Sequence, residues 1–182
     1  MIGKRRYCFW MKELAILRHA KSSWAEPGLS DETRPLNPRG LRQCEMLSGW
    51  LSANTFQPDR IFCSTAKRTR QTYDGIRSTF GTAAVEFLPK MYLGEMEDYL
   101  DAIWSAENSA SILLIGHNPT CDELVRYLAK PSSPAMEKLM ASHFSTGTFA
   151  LFEFEGDDWS NVGEASCLLR SFTRPKDIEL MA

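Results

Sequence analysis

Three short apolar runs constrain the fold of this chain most strongly. Each is followed by polar residues and then by residues typical of the start of a helix. The runs cover residues 14–17, 61–63 and 112–115. Their length and flanks are typical of buried strands. Strands that alternate with helices in this way predict an α/β fold: a three-layer sandwich whose central sheet is mainly parallel, with helices on both faces.

The dipeptide Asn-Pro marks two of the predicted helix starts. At Asn37 and again at Asn118, asparagine can cap a helix while the proline that follows takes the first helical position. The first of these helices is predicted to end near residue 54, with a buried face made of Leu41, Cys44, Leu47 and Leu51. We also predict helices at residues 66–80 and 95–105, and strands at residues 85–88, 148–155 and 167–172.

Length and composition favour one cytoplasmic domain. The 182 residues are enough for one well-buried domain and too few for two of ordinary size, so we expect a single domain over residues 1–182, with residues 1–11 as a loose N-terminal extension. The formal charge of −2 gives no field that would attract nucleic acid or an anionic membrane. The five cysteines form no CxxC pair, which favours reduced thiols over a disulfide framework.

Cationic side chains follow all three of the first predicted strands. Arg18 and His19 end the first strand, Arg68 follows the second, and His117 ends the third. The carboxyl ends of parallel strands meet at one edge of an α/β sheet, which is where ligands bind. We therefore expect these four side chains to line one pocket that holds a phosphate group.

Such a pocket suits phosphoryl transfer to a histidine nucleophile. Guanidinium groups bind phosphoryl oxygens in pairs, and their charge disfavours imidazolium, so one histidine keeps a free ring nitrogen for attack. The second histidine can donate a hydrogen bond to the same oxygens. Ser22 offers a hydroxyl nearby. This chemistry requires no cofactor and no metal, and a zinc site at His19, His117 and His143 is disfavoured because the arginines would repel the cation.

Four motifs in this order, LRHAKSSW, RPLNPRG, STAKRTRQT and LLIGHNPT, resemble the histidine phosphatase superfamily and, within it, the SixA-type phosphohistidine phosphatases. The likeness covers about residues 14–128 and a downstream FSTGTFALFEF segment. It implies a phosphoglycerate mutase-like fold, with His19 as the nucleophile that becomes phosphorylated. It also implies that Arg18 and Arg68 bind the phosphate, that His117 is the second pocket histidine, and that Arg34 is a further anion contact.

One residue departs from the characteristic motif of the superfamily. The motif is Arg-His-Gly, whereas Ala20 stands in the third position here, so we expect one extra methyl to narrow the pocket without removing the chemistry.

Cleavage of an alkyl phosphate calls for an acid that protonates the leaving group. The candidates, none of which the sequence singles out, are Glu95, Glu97 and Asp98.

The function predicted from these observations is a metal-independent phosphatase that hydrolyses protein phosphohistidine. Phosphohistidine is favoured because its imidazole can leave already protonated. Two alternatives stay open at this point. One is a phosphomonoesterase or mutase that acts on a small phosphorylated molecule, and the other is an inactive module that binds phosphate or a phosphorylated protein. No nucleic acid or membrane partner is expected.

Overall fold

The computed structural model describes residues 11–25 and 28–181. The described residues form one six-stranded sheet in the order β3-β2-β4-β1-β5-β6. Strands β3, β2, β4 and β1 are parallel, β5 is antiparallel to β1, and β6 is antiparallel to β5. The strands are β1 (Met11–Arg18), β2 (Arg60–Ser64), β3 (Ala84–Leu88), β4 (Ser111–Gly116), β5 (Phe149–Glu155) and β6 (Leu168–Thr173).

Helices cover both faces of this sheet. They are α1 (Pro38–Ser52), α2 (Lys67–Ile76), α3 (Met96–Trp104), α4 (Thr120–Leu128), α5 (Met136–Met140) and α6 (Pro175–Glu179). One core cluster joins α1, α2 and α6 to the sheet, and a second joins α3, α4 and α5 to its other face. The predicted three-layer α/β sandwich with a mainly parallel sheet is therefore confirmed.

The predicted strands lie within β1 to β6, apart from one or two residues at their ends. The predicted N-terminal extension, residues 1–11, lies outside the described residues except for Met11, which begins β1. The two short helices α5 and α6 were not predicted, since neither has a full amphipathic period. Among the described residues, no helix is both long enough and apolar enough to cross a membrane.

The buried face of α1 differs from the prediction at one position. Leu41 is 50% exposed, so its assignment to the buried face was wrong, while Gly40 and Gln43 are buried. Gly40 packs directly on the loop after β1, where a Cβ at this position would collide with the Lys21 backbone. This close approach turns the helix so that positions 40, 44, 47 and 51 face inward and position 41 faces solvent.

The two Asn-Pro sites behave differently. Asn37 caps α1, since its Oδ1 accepts a hydrogen bond of 2.9 Å from the Gly40 N–H. Asn118 does not cap α4, so that prediction was wrong: its Nδ2 donates instead to the Phe144 carbonyl at 3.0 Å. The side chain of Asn118 is thus used to hold a neighbouring loop rather than to begin a helix.

Removing the cap at Asn37 should measurably destabilise the fold. We expect Asn37→Ala to lower the free energy of unfolding by about 1 kcal/mol, because the Gly40 N–H loses its acceptor. Asn37→Asp keeps an acceptor oxygen and should retain most of the stability. Urea unfolding followed by circular dichroism measures both values, and equal losses in the two variants would contradict this account of α1.

Candidate active site

A cavity of about 410 Å³ opens at the carboxyl edge of the sheet, where β1, β2 and β4 end. We call it the central cavity. The structure brings all four cationic strand-end residues of the sequence prediction to its wall, together with two residues of the loop after β1: Arg18, His19, Arg68, His117, Ser22 and Arg34. Segments that lie about 100 residues apart along the chain therefore meet around one space.

His19 presents one free ring nitrogen. Its Nδ1 lies 2.7 Å from the Ala20 carbonyl oxygen, and because a carbonyl only accepts, Nδ1 carries the proton. In the neutral ring, Nε2 then holds the lone pair. Burial lowers the pKa of His19 to about 3, and the charges of Arg68 and Arg18 and the neighbouring His117 act in the same direction. His19 is therefore a neutral imidazole near pH 7, with Nε2 available for attack.

His117 faces His19 from the end of β4, with ring centroids 5.2 Å apart. Its Nε2 lies 2.8 Å from the Ser64 hydroxyl at the end of β2. Its Nδ1 is buried and has no hydrogen-bond partner among the described residues. Burial, and next the charge of Arg68, lower its pKa to about 3. The second histidine is thus also neutral, and one of its nitrogens still needs a partner.

Arg68, on the first turn of α2, is held by a carboxylate that the sequence did not single out. Its guanidinium donates to the Asp31 backbone carbonyl at 2.6 Å and to Asp31 Oδ2 at 2.9 Å. The Tyr92 hydroxyl also donates to Asp31 Oδ2, at 3.0 Å. Partial burial opposes ionisation of Asp31, but hydrogen bonds from Arg34 and Tyr92 and the Arg68 charge outweigh it and lower the pKa to about 2.

Arg34 completes the cationic wall from the loop after β1. Its Nε donates to Asp31 Oδ1 at 2.9 Å and its Nη1 to the Ser22 hydroxyl at 3.0 Å. The guanidinium carbon lies 3.5 Å from the ring centroid of Trp24, which is largely exposed. Arg34 and Ser22 therefore form one hydrogen-bonded unit at the mouth of the cavity.

Two arginines and one histidine of the central cavity carry nitrogens that the protein leaves without a partner. Among the described residues, Arg18 Nε, Arg68 Nε and His117 Nδ1 are buried and accept or donate no hydrogen bond. A buried donor without a partner costs about 1–3 kcal/mol. An anion with several oxygens in the central cavity would supply acceptors to this set. The arrangement can thus bind a tetrahedral oxyanion next to a nucleophilic imidazole nitrogen.

The three candidate acids do not line the central cavity. Glu95 and Glu97 line a neighbouring cavity of about 480 Å³ together with Glu123, and we call this space the acidic cavity. It shares His117 with the central cavity. Asp98 is occupied locally, because its Oδ2 accepts a hydrogen bond of 3.1 Å from the Glu95 N–H at the start of α3.

Ala20 and His143 lie away from the central cavity. Ala20 is buried in a small cluster with Leu36 and Cys44, so the expected narrowing of the pocket by its methyl was wrong: the side chain packs toward α1 instead. His143 is exposed and lines a different cavity. Within residues 11–25 and 28–181, no cluster of three or more His, Cys, Asp or Glu side chains could hold a metal ion.

Three residues of the site had no role in the sequence-based prediction: Asp31, Tyr92 and Ser64. Asp31 carried one usable signal, since an acid three residues before Arg34 in the same loop can pair with it. Ser64 is the first residue of the motif STAKRTRQT, but the sequence indicated no role for its side chain. Tyr92 lies in an irregular segment between β3 and α3, where no periodicity indicates the direction of a side chain.

Comparison with known proteins gives three related matches. A family model described as "Histidine phosphatase superfamily (branch 1)" matches residues 14–97. The protein Rv1276c of Mycobacterium tuberculosis is 32% identical over 163 residues, which cover 88% of this chain and all of that protein. Phosphohistidine phosphatase SixA of Escherichia coli is 28% identical over 129 residues, covering 68% of this chain and 78% of the relative.

The fold is also similar to solved structures. One of them is the structure of a Nakamurella multipartitia protein that is assigned as phosphohistidine phosphatase SixA. It superimposes with a TM-score of 0.78 at 30% sequence identity, covering 91% of this chain and 96% of the other.

Because His19 and His117 are buried, the free energy of unfolding should depend on pH, and it should do so at pH values above those at which carboxylates titrate. Folded His19 and His117 stay neutral down to about pH 3, whereas in the unfolded chain histidine takes up a proton below about pH 6.5. Protons then favour the unfolded state, so we expect the free energy of unfolding to fall as pH drops from 7 to 5. The limiting slope is about 1.4 kcal/mol per pH unit for each histidine.

Urea titrations at several pH values measure this slope. The double variant His19→Gln, His117→Gln removes both groups and should flatten the dependence between pH 7 and 5. An unchanged slope in the double variant would show that other groups cause the acid sensitivity.

Proposed function

This chain belongs to the histidine phosphatase superfamily and is a phosphatase, and we propose that it hydrolyses protein phosphohistidine through a phosphorylated His19. The observation that carries the proposal is the state of His19: a buried, neutral imidazole whose Nδ1–H is bound to the Ala20 carbonyl, leaving Nε2 free in a cavity that Arg18 and Arg68 also line. The proposal includes no metal, since Arg18, Arg34 and Arg68 would repel a cation.

The proposed reaction has two steps. In the first, the Nε2 lone pair of His19 forms a bond to phosphorus, the bond from phosphorus to the substrate nitrogen breaks, and its electron pair leaves with the substrate imidazole. In the second, the oxygen of a water molecule bonds to the phosphorus of phosphorylated His19 while the bond from phosphorus to Nε2 breaks. The electron pair of that bond returns to Nε2, and the water protons leave with inorganic phosphate. In both steps the charge on the three phosphoryl oxygens is stabilised by Arg18 and Arg68, with His117 as a hydrogen-bond donor.

The choice of phosphohistidine rests on the acids around the central cavity. Asp31 is the carboxyl group in its described wall, and a pKa of about 2 makes it a carboxylate that cannot serve as a proton donor at neutral pH. Glu95 and Glu97 face the acidic cavity instead. An alkoxide leaving group would need a proton that this wall does not supply, whereas the substrate imidazole can leave in its protonated form.

We place the reaction in the cytoplasm. The four cysteines of the described residues are buried free thiols, and burial raises the pKa of Cys121 to about 12 and of Cys44 to about 11. Thiols of this kind fit a reducing compartment.

Replacement of the nucleophile tests the mechanism. We expect His19→Ala to lose at least about a thousandfold in kcat on a phosphohistidine peptide, because the covalent step has no substitute. Wild-type protein quenched during turnover should carry an acid-labile, base-stable phosphoryl group, and His19→Ala should carry none. Undiminished turnover by His19→Ala would end the proposal.

A substrate panel tests the leaving group. On phosphohistidine peptide, the variants Glu95→Gln, Glu97→Gln and Asp98→Asn should keep kcat/KM within about twofold of wild type, and a chelator should have no effect. Strong loss on small phosphate esters in these variants, with no turnover of phosphohistidine by wild type, would assign the phosphomonoesterase function instead. Vanadate binding without hydrolysis of any compound in the panel would point to a binding module.

A further inference from the structure

A third cavity, of about 360 Å³, adjoins the central cavity. Four cationic or imidazole side chains line it, and we call it the basic cavity: Arg39, His143, Arg174 and Lys176. Thr146 lines both this space and the central cavity. A substrate whose phosphoryl group lies at His19 would therefore pass close to the basic cavity.

The wall between the two cavities is tied to the nucleophile strand. The Gly147 N–H donates to the backbone carbonyls of Arg18 and His19, each at 3.1 Å. Gly147 has φ +76°, and a Cβ at this position would lie 2.9 Å from Pro175 Cγ, so the turn fits against the start of α6 only with glycine. The basic cavity is thus held at a fixed position relative to His19.

Two cations of the basic cavity have no carboxylate partner among the described residues. Arg174 forms an ion pair of 2.9 Å with Asp177 and donates to the Ser142 hydroxyl at 2.6 Å, so its charge is compensated within the protein. Arg39 and Lys176 are exposed, and neither pairs with a carboxylate of the described residues. An excess of positive charge therefore faces solvent at this cavity.

A buried amide gives independent support for a ligand. Gln43 lines the basic cavity and is only 6% exposed. Its Oε1 accepts a hydrogen bond of 2.8 Å from the Lys21 N–H, which fixes the orientation of the amide because the N–H can donate only to the oxygen. The Nε2 group then lies on the other side of the amide, donates to no described residue and is not among the buried atoms that lack a partner. It is therefore an oriented donor that a ligand in the basic cavity can reach.

The sign of the charge differs on the two sides of the central cavity. The acidic cavity presents Glu95, Glu97 and Glu123 on the His117 side, and the basic cavity presents Arg39 and Lys176 on the Thr146 side. Of these two neighbouring cavities, the basic cavity is therefore the one with an excess of positive side chains in its wall. A substrate with an anionic group on one side of its phosphoryl group would be oriented by this asymmetry.

We propose that the basic cavity binds a side-chain carboxylate of the phosphorylated protein substrate, from an aspartate or glutamate near the phosphohistidine. This inference rests on the proposed function and specifies its substrate class. On a folded protein the common anionic groups are carboxylates, and their two oxygens can accept from the Arg39 guanidinium and the Gln43 amide together. Substrates with an acidic residue beside the phosphohistidine are then preferred through KM, with the chemical step unchanged.

Charge-matched variants test the inference on phosphohistidine peptides of equal length with acidic, neutral or basic flanks. The test variant is Arg39→Gln, Lys176→Gln. The control is Arg42→Gln, Arg77→Gln, which removes two exposed cations that do not line the basic cavity. We expect the test variant to raise KM for the acidic peptide about five-fold at low salt, with kcat and the neutral peptide unaffected and the control like wild type. High salt should remove the difference.

Equal KM values of wild type for acidic, neutral and basic peptides would overturn the inference, as would an equal loss on all peptides in the test variant. A charge dependence seen only with small molecules that carry a second phosphate would also overturn it, and would assign the cavity to that phosphate.

A binding experiment separates this inference from the proposed function. An unphosphorylated acidic peptide is titrated into isotope-labelled wild-type protein, and backbone amide shifts are followed by NMR. Shifts at residues 141–147 in wild type and the control, and their loss in the test variant, support the basic cavity even if no phosphohistidine peptide is hydrolysed. Unperturbed amides at 141–147 in wild type overturn it, whatever the outcome of the turnover assays.

Discussion

Burial of an imidazole beside fixed guanidinium groups is the constraint on which the site depends. His19 lies in the middle of the sheet edge, flanked by the ends of β4 and β5, and water cannot stabilise its charged form there. Its Nδ1–H is bound to the Ala20 carbonyl, which leaves Nε2 with the lone pair. Burial thus sets the charge state of His19, and a local hydrogen bond sets its tautomer.

Cations this close together need an internal counter-ion, and Asp31 provides it. Its carboxylate binds Arg34 through Oδ1 and Arg68 through Oδ2, and Tyr92 adds a third donor. The guanidinium groups are therefore oriented before any ligand is bound. Because cations still outnumber this one carboxylate around the central cavity, an incoming dianion meets net positive charge and a preorganised set of donors.

The sequence predicts those parts of the molecule that periodicity and strand ends determine. Apolar runs specify the strands, and the residues that follow them, Arg18, His19, Arg68 and His117, meet because parallel strands share a carboxyl edge. Asp31 and Tyr92 escape prediction because they lie in irregular segments, where contacts are set by the path of the chain. The prediction that Asn118 caps α4 was wrong for a related reason: its side chain binds the carbonyl of Phe144, in a loop 26 residues away.

The mixed topology of the sheet explains why the basic cavity lies beside His19. A fifth parallel strand would begin at the opposite edge, but β5 is antiparallel to β1, so Phe149 pairs with Leu17 and the residues before β5 arrive at the edge that carries His19. That segment, residues 141–148, accepts a hydrogen bond from Arg18 through the Phe144 carbonyl and binds the His19 carbonyl through Gly147. One reversed strand therefore places the segment that holds the Arg18 and His19 backbone and the wall of the basic cavity side by side.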